Sequence, residues 1–311
     1  MWIHLLMAGL SLFTFLGGLR VMRQGLEGLG EGRLPLLLQR FARTPTRGIL
    51  TGTIVTALMQ SSAAVTAISV GLVASGSLLF RDALGIVLGA NVGSTVTPQM
   101  LTFDLWLAVI PCLGLGFIGI ASRRPRLYFP SVALLGFSAL VIGLEMLTTA
   151  LQPLAASAWF HHLLQTAGMN PLLAAGAGCL LSAAIQSSTA TTVITMALAT
   201  QALIPMSGAI SIVLGANVGT CLTSVLAAVG QTRPAQQVAL AHVLLNIGGV
   251  ALFLPCIAPF TEWMTHLATS PAQQIANAHT LFNIVCTLLV WPVTGWFARL
   301  VERLLPDQAR A

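Results

Sequence analysis

The tripeptide Gln-Ser-Ser occurs at Gln60-Ser61-Ser62 and again at Gln186-Ser187-Ser188, 126 residues later. Each copy is followed at the same distance by a second shared string, Gly89-Ala90-Asn91-Val92-Gly93 and Gly215-Ala216-Asn217-Val218-Gly219. Two motifs that keep one offset identify an internal duplication, so the chain must fold as two like halves. Residues 50–100 align without gaps on 176–226 with 19 identities in 51 positions, enough to fix the register. Upstream, Gly18-Leu19-Arg20-Val21-Met22 resembles Gly143-Leu144-Glu145-Met146-Leu147 with a one-residue shift.

Both repeated motifs are polar and uncharged, and they sit in a chain that is 56% hydrophobic and only 7% charged. A soluble domain carries roughly 25% charged residues, so so little charge excludes a water-covered surface and marks an integral membrane protein. Apolar runs of about 20 residues, rich in Gly, Ala, Ser and Thr, predict packed α-helices; barrel strands would alternate over about ten residues. No basic n-region precedes the first apolar run, so a cleavable signal peptide is not expected. The five cysteines, Cys112, Cys179, Cys221, Cys256 and Cys286, are scattered through apolar segments without a disulfide or metal spacing. All 14 basic residues are arginines in short connections or near helix ends. The net charge of +6 is therefore a topology signal and not a nucleic-acid patch.

Full spans are expected near 2–22, 83–102, 105–121, 128–150, 207–229, 235–258 and 274–298, with loops at 23–47 and 151–170. Two segments, about 48–79 and 171–204, are interrupted by Gln-Ser-Ser. The arm from Arg47 to Gln60 reaches about 21 Å as a helix, short of the roughly 30 Å hydrocarbon core. If both interrupted segments are re-entrant hairpins, every arginine falls on one side; if both cross, Arg81, Arg123, Arg124 and Arg126 move to the other. The positive-inside rule favours hairpins, with the N-terminus outside and the C-terminus cytoplasmic. The expected fold is an all-α integral membrane protein of two inverted-topology repeats, each with a re-entrant hairpin bearing a Gln-Ser-Ser tip. Its parts are residues 1–126, 127–259, and a C-terminal stretch 260–311 with one more transmembrane helix and a short cytoplasmic tail.

These residues resemble the sodium-dependent phosphate cotransporter family, the type II group with bacterial and mammalian members. The resemblance rests on Gln60-Ser61-Ser62-Ala63, Gln186-Ser187-Ser188-Thr189, Gly89 to Ser94, Gly215 to Thr220, and the late strings Ala241-His242-Val243-Leu244-Leu245-Asn246 and Ala278-His279-Thr280-Leu281-Phe282-Asn283. It runs from about 5 to 298. Ala63 and Thr189 stand where the family commonly has a third serine. The resemblance implies a sodium-coupled carrier of inorganic phosphate in the cell (inner) membrane, with Na⁺ as coupling ion. It also implies a separate PhoU-like regulator as a partner, since the chain is too short to carry that domain itself.

The chemistry suits such a cargo. A serine that opens a helix N-caps it and leaves backbone N–H groups facing the tip, and a helix N-terminus attracts anions. Ser61, Ser62, Ser187 and Ser188, with Asn91 and Asn217, are the candidate phosphate ligands. Gln60, Gln186, Thr66, Thr192, Thr189, Ser94 and Thr220 offer hard oxygens to sodium. His242 with Asn246, and His279 with Asn283, fall four apart on one helix face and are candidates for gating or structural hydrogen bonding. Arg20 and Glu145, opposite charges at equivalent positions, form a candidate cross-repeat pair. Alternatives are a transporter of another oxyanion, a proton-coupled phosphate transporter or exporter, and a sensor that has lost transport. An intramembrane enzyme is disfavoured, because no His-Glu-x-x-His or Gly-x-Ser-x-Gly string occurs.

Overall fold

The computed structural model describes residues 2–30 and 32–306, and Arg310 lies outside them. Among the described residues every regular element is helical, and the duplication is visible in the element boundaries. Helix α1 (Trp2–Leu29) leads through the short α2 (Leu34–Phe41) to α3 (Pro45–Met59), α4 (Ser62–Ala74) and α5 (Phe80–Gly93). A short α6 (Val96–Met100) and α7 (Trp106–Ala121) follow. The second half repeats the plan with α8 (Pro125–Ala155), α9 (Ala158–Gly168), α10 (Pro171–Ile185), α11 (Ser188–Thr200), α12 (Met206–Ala228) and α13 (Arg233–Phe253). Pro45 and Pro171, Ser62 and Ser188, and Phe80 and Met206 each stand 126 residues apart.

Among the described residues, five stretches are long and apolar enough to cross a membrane: Ile3–Leu29, Pro125–Ala155, Met206–Ala228, Arg233–Leu267 and Pro271–Leu304. The pair Ala158–Gly168 and Pro171–Ile185 would make a sixth, but it is bent by 101°. Residues 151–170, expected as a loop, belong instead to the end of α8 and to α9, which carries His161 and His162.

Small residues set the packing. A Cβ on Gly85, Gly89 or Gly93 would run into the backbone of Pro45, Ile49 or Thr53, so α3 and α5 touch backbone to backbone and run parallel. Gly215 and Gly219 meet Ala175 and Cys179 in the same way, which makes α10 and α12 the matching parallel pair. By contrast α1 and α8, the equivalent first helices, pack antiparallel: Gly18 lies on Leu140, Gly25 on Ala133, Gly136 on Met22 and Gly143 on Phe15. That register leaves Arg20 and Glu145 about two helical turns apart on exposed faces, and they form no pair. The halves also interleave. The core around α4 and α5 takes in Ala235, Val238 and Leu245 of α13, whereas the core around α1 and α8 takes in Val193 and Met196 of α11.

The expected span 83–102 is broken. Pro98 has no N–H to give to the carbonyl of Ser94 and its ring crowds that carbonyl, so α5 stops at Gly93 and α6 starts at Val96. The equivalent residue in the second half is Ser224, and α12 runs on unbroken to Ala228.

The C-terminal region holds a second, shorter duplication. After α13, a 3-10 turn at Leu254–Cys256 leads to α14 (Ile257–Leu267); after α15 (Pro271–Val290), a 3-10 turn at Trp291–Val293 leads to α16 (Thr294–Leu304). Pro234-Ala235-Gln236-Gln237 and Pro271-Ala272-Gln273-Gln274, His242 and His279, Asn246 and Asn283, and Pro255 and Pro292 all stand 37 residues apart. Gln237 of α13 donates to the Leu305 carbonyl beyond α16 (2.8 Å), and Gln274 of α15 donates to the Ala268 carbonyl beyond α14 (2.8 Å). Each pair thus closes the end of one helix with a glutamine at the start of another.

Candidate functional site

The two helix breaks are alike to the backbone. Gln60 (φ 57°, ψ 24°) and Gln186 (φ 57°, ψ 36°) end α3 and α10 in the left-handed region, which costs a non-glycine residue about 1–2 kcal/mol. Ser61 and Ser187 then return to extended backbone and cap the next helix. Ser61 Oγ accepts from the Ala64 amide at 3.2 Å, and Ser187 Oγ accepts from the Ala190 amide at 3.1 Å. The repeated sequence Gln-Ser-Ser therefore encodes a C-cap, an N-cap and the first residue of a new helix. The amides of Ser62 and Ala63, and of Ser188 and Thr189, have no partner among the described residues. Nor do the hydroxyls of Ser62 and Ser188.

The other candidates divide into engaged and free groups. Thr66 donates back to the Ser62 carbonyl (2.7 Å), the ordinary behaviour of a helical threonine. Its equivalent Thr192 is fully buried and its Oγ1 has no partner. Thr220 bonds Ser182 (2.9 Å) and its own helix (3.0 Å). The Gln60 amide nitrogen donates to the Ala57 carbonyl, which leaves Gln60 Oε1 buried and unpartnered. Thr189 Oγ1 donates to the Ser94 carbonyl at 3.4 Å, the acceptor that Pro98 sets free. Ser94 Oγ itself donates to the Asn91 carbonyl (2.7 Å).

Asn91 and Asn217 are each clasped by one of the late His-x-x-x-Asn strings. His242 Nε2 lies 3.3 Å from Asn91 Oδ1, and the Asn91 amide nitrogen donates to Asn246 Oδ1 at 3.3 Å. Asn217 Oδ1 faces His279 Nε2 and accepts from the Asn283 amide nitrogen, both at 3.4 Å. Asn246 and Asn283 donate back to the His242 and His279 carbonyls at 2.9 Å. The clasps differ in one respect: His242 Nδ1 has Ser224 Oγ at 2.9 Å, whereas His279 Nδ1 is buried without a partner.

One residue at the second break was read in the sequence only as part of the arginine count. Arg23 of α1 donates from Nη2 to Ser187 Oγ at 3.0 Å, and its Nε is buried without a partner. A cation 37 residues before the nearest Gln-Ser-Ser carries no local signal; only the α1–α8 register aims it at the break.

The family described as Na+/Pi-cotransporter matches twice, over residues 14–149 and 140–285. The chain is 33% identical over 295 residues to a Bacillus subtilis protein named uncharacterized protein YqeW, covering 94% of this chain and 95% of that one. It is 28% identical over 296 residues to the putative inorganic phosphate export protein YjbB of Salmonella typhimurium, covering 94% of this chain but 54% of the relative. A segment of 53 residues, 17% of this chain, is 43% identical to rabbit (Oryctolagus cuniculus) sodium-dependent phosphate transport protein 2A, 8% of which is covered. No solved structure gives a significant match. Two family matches laid over two structural halves leave one assignment: the chain belongs to the Na+/Pi-cotransporter family.

Proposed function

We propose that this protein carries inorganic phosphate across the cell (inner) membrane by alternating access, coupled to Na⁺, with both cargoes held between the two Gln-Ser-Ser breaks. The observation that carries the reading is the pair of matched helix starts. Each offers free first-turn amides and a free serine hydroxyl, an arrangement suited to a tetrahedral oxyanion. Ser61, Ser62, Ser187 and Ser188 take the phosphate. Asn91 and Asn217, whose amides are engaged by His242 with Asn246 and by His279 with Asn283, brace the floor of the site. Sodium takes oxygens of the same breaks: the buried free Gln60 Oε1 and Thr192 Oγ1, with Thr189, the Ser94 carbonyl, Gln186, Thr66 and Thr220 around them.

In this reading the interrupted segments are re-entrant hairpins and the halves are inverted repeats. Parallel packing of α3 on α5 supports the first, because the chain must return across α4 to the level at which α3 began before α5 can start. Antiparallel packing of the equivalent helices α1 and α8 supports the second. The ends also sort: Arg81 with Glu302, Gln237 with Leu305, and Trp291 with Thr46 gather at the start of α3 and α5, the arginine-bearing end assigned to the cytoplasm. A PhoU-like regulator is the expected partner there.

Radiolabelled phosphate uptake into proteoliposomes is the test. A sodium gradient drives accumulation, and arsenate competes while sulfate competes poorly at neutral pH. Transport indifferent to replacing sodium by potassium or choline removes sodium from the mechanism. In binding titrations, Ser62→Ala and Ser188→Ala each weaken phosphate by roughly 1–3 kcal/mol. Wild-type affinity in the folded double variant would remove the tip hydroxyls from the site. The name of the YjbB relatives favours a second reading in which net flux is outward; it differs only in direction and uses the same site.

A further inference from the structure

Among the described residues, Arg23 is the one arginine hydrogen-bonded at a helix break. Its place is fixed by backbone contact: Gly18 on Leu140 and Gly25 on Ala133 set both the height and the rotation of α1 against α8. Leu19 and Met22 are buried beside it, while Arg20 and Gln24 on the same helix are exposed. The guanidinium has five N–H donors in a rigid fork. Nη2 is spent on Ser187 Oγ, and Nε is shut off from solvent with nothing to donate to. Glu27, one turn along α1, forms no ion pair with it. A charged donor left unpaired inside a membrane protein is expensive and marks a functional position. The first break has no counterpart: the aligned residue on α8 is Thr148, whose hydroxyl bonds back to the Leu144 carbonyl (3.0 Å).

We propose that Arg23 is a direct ligand of the oxyanion at the second break, its Nε–H and a neighbouring N–H gripping two oxygens while Nη2 stays on Ser187. The inference rests on the reading of the breaks as the phosphate site. It makes that site lopsided: a neutral helix start on one side, and a helix start with a fixed positive charge on the other. The planar fork matches two oxygens of a tetrahedral anion in a way an ammonium does not.

Calorimetric titration of the purified full chain with inorganic phosphate at saturating sodium tests it, with monodisperse elution as the folding check. Arg23→Gln weakens phosphate about 10- to 100-fold, the loss expected for charge-assisted hydrogen bonds. Arg23→Lys, which keeps the charge and loses the fork, binds less tightly than wild type and keeps the test available if the glutamine variant does not fold. Arg20→Gln, one turn away on the exposed face, leaves the affinity unchanged. In a Ser187→Ala background, Arg23→Gln still weakens binding further, which it would not do if Arg23 merely positioned that serine. Wild-type affinity in Arg23→Gln, or in Arg23→Lys should the first not fold, overturns the proposal, and so does an equal loss in Arg20→Gln or no added loss in the Ser187→Ala background. A wild-type protein that binds no phosphate overturns this proposal together with the reading beneath it.

Discussion

Removing Asn217 should cost stability by an amount its hydrogen bonds define. Its side chain donates to the Val213 carbonyl at 2.9 Å and accepts from His279 and Asn283 at 3.4 Å. Bonds of 3.4 Å are beyond the usual 2.7–3.2 Å range for N–H···O, so their direct contribution is small. The larger effect is what truncation leaves behind. His279 is fully buried and its Nδ1 already lacks a partner. In Asn217→Ala its Nε2 loses its partner too, and a buried unpaired donor costs about 1–3 kcal/mol. Asn283 still donates to the His279 carbonyl, so one orphan is created and about 2 kcal/mol is expected. Asn91→Ala orphans two groups, His242 Nε2 and Asn246 Oδ1, though His242 keeps Ser224. Replacing both partners with apolar groups of like shape, Asn217→Leu with His279→Phe, removes the orphan along with its acceptor and should recover most of the loss. Denaturant unfolding in detergent micelles reads Asn217→Ala, Asn91→Ala, the double variant and its two components, Asn217→Leu and His279→Phe. An Asn217→Ala protein as stable as wild type, or a double variant that sums the two single losses, would refute the orphan-donor account.

Three further outcomes follow from the packing and the topology. Gly215→Ala should destabilise by about 1–3 kcal/mol because its Cβ meets the Ala175 backbone, whereas Gly9→Ala, with open space around it, should be neutral or better in thermal unfolding. On a cysteine-free background, Ala121→Cys and Gln231→Cys should react with an impermeant thiol reagent only from the cytoplasm and Ser157→Cys only from outside; external labelling at 121 would sink the inverted-repeat reading. The exposed Arg81–Glu302 pair, at 3.2 Å, should contribute about 0.2–1 kcal/mol in a double-mutant cycle and fade with added salt.

Much of the architecture could be read from the chain because duplication preserves spacing. The offset between Gln60 and Gln186 located both breaks; the first segment is expected from about 48 and the next span from about 83, and the helices start a few residues earlier, at Pro45 and Phe80. Composition settled the membrane setting. The misses have physical causes. The break after Gly93 depends on one proline four residues from a carbonyl, inside an apolar run whose periodicity gives no sign of it. Helix α9 was missed because its polar His161, His162 and Gln165 read as a loop, yet Gln165 anchors it by donating to the Ala202 carbonyl (2.8 Å). The second duplication is legible in part: both His-x-x-x-Asn strings stand out in the sequence, whereas the matching Pro-Ala-Gln-Gln openings at 234 and 271 gain meaning only as helix starts. Arg23 could not be found from spacing at all, since its role depends on which face of α1 meets α8.

Pro98 breaks a degeneracy. Under the proposed reading, two identical halves related by a two-fold axis in the membrane plane would exchange roles on switching sides, and the outward- and inward-facing forms would have equal free energy. The chain has a proline at 98 and a serine at 224; the proline opens one helix and frees one carbonyl, which Thr189 takes as an acceptor and which its counterpart Ala63 has no hydroxyl to use. The tie between Thr189 and Ser94 joins the two halves at the breaks, and no matching tie joins Ala63 to Thr220, so under the proposed inverted-repeat reading the two halves meet unequally.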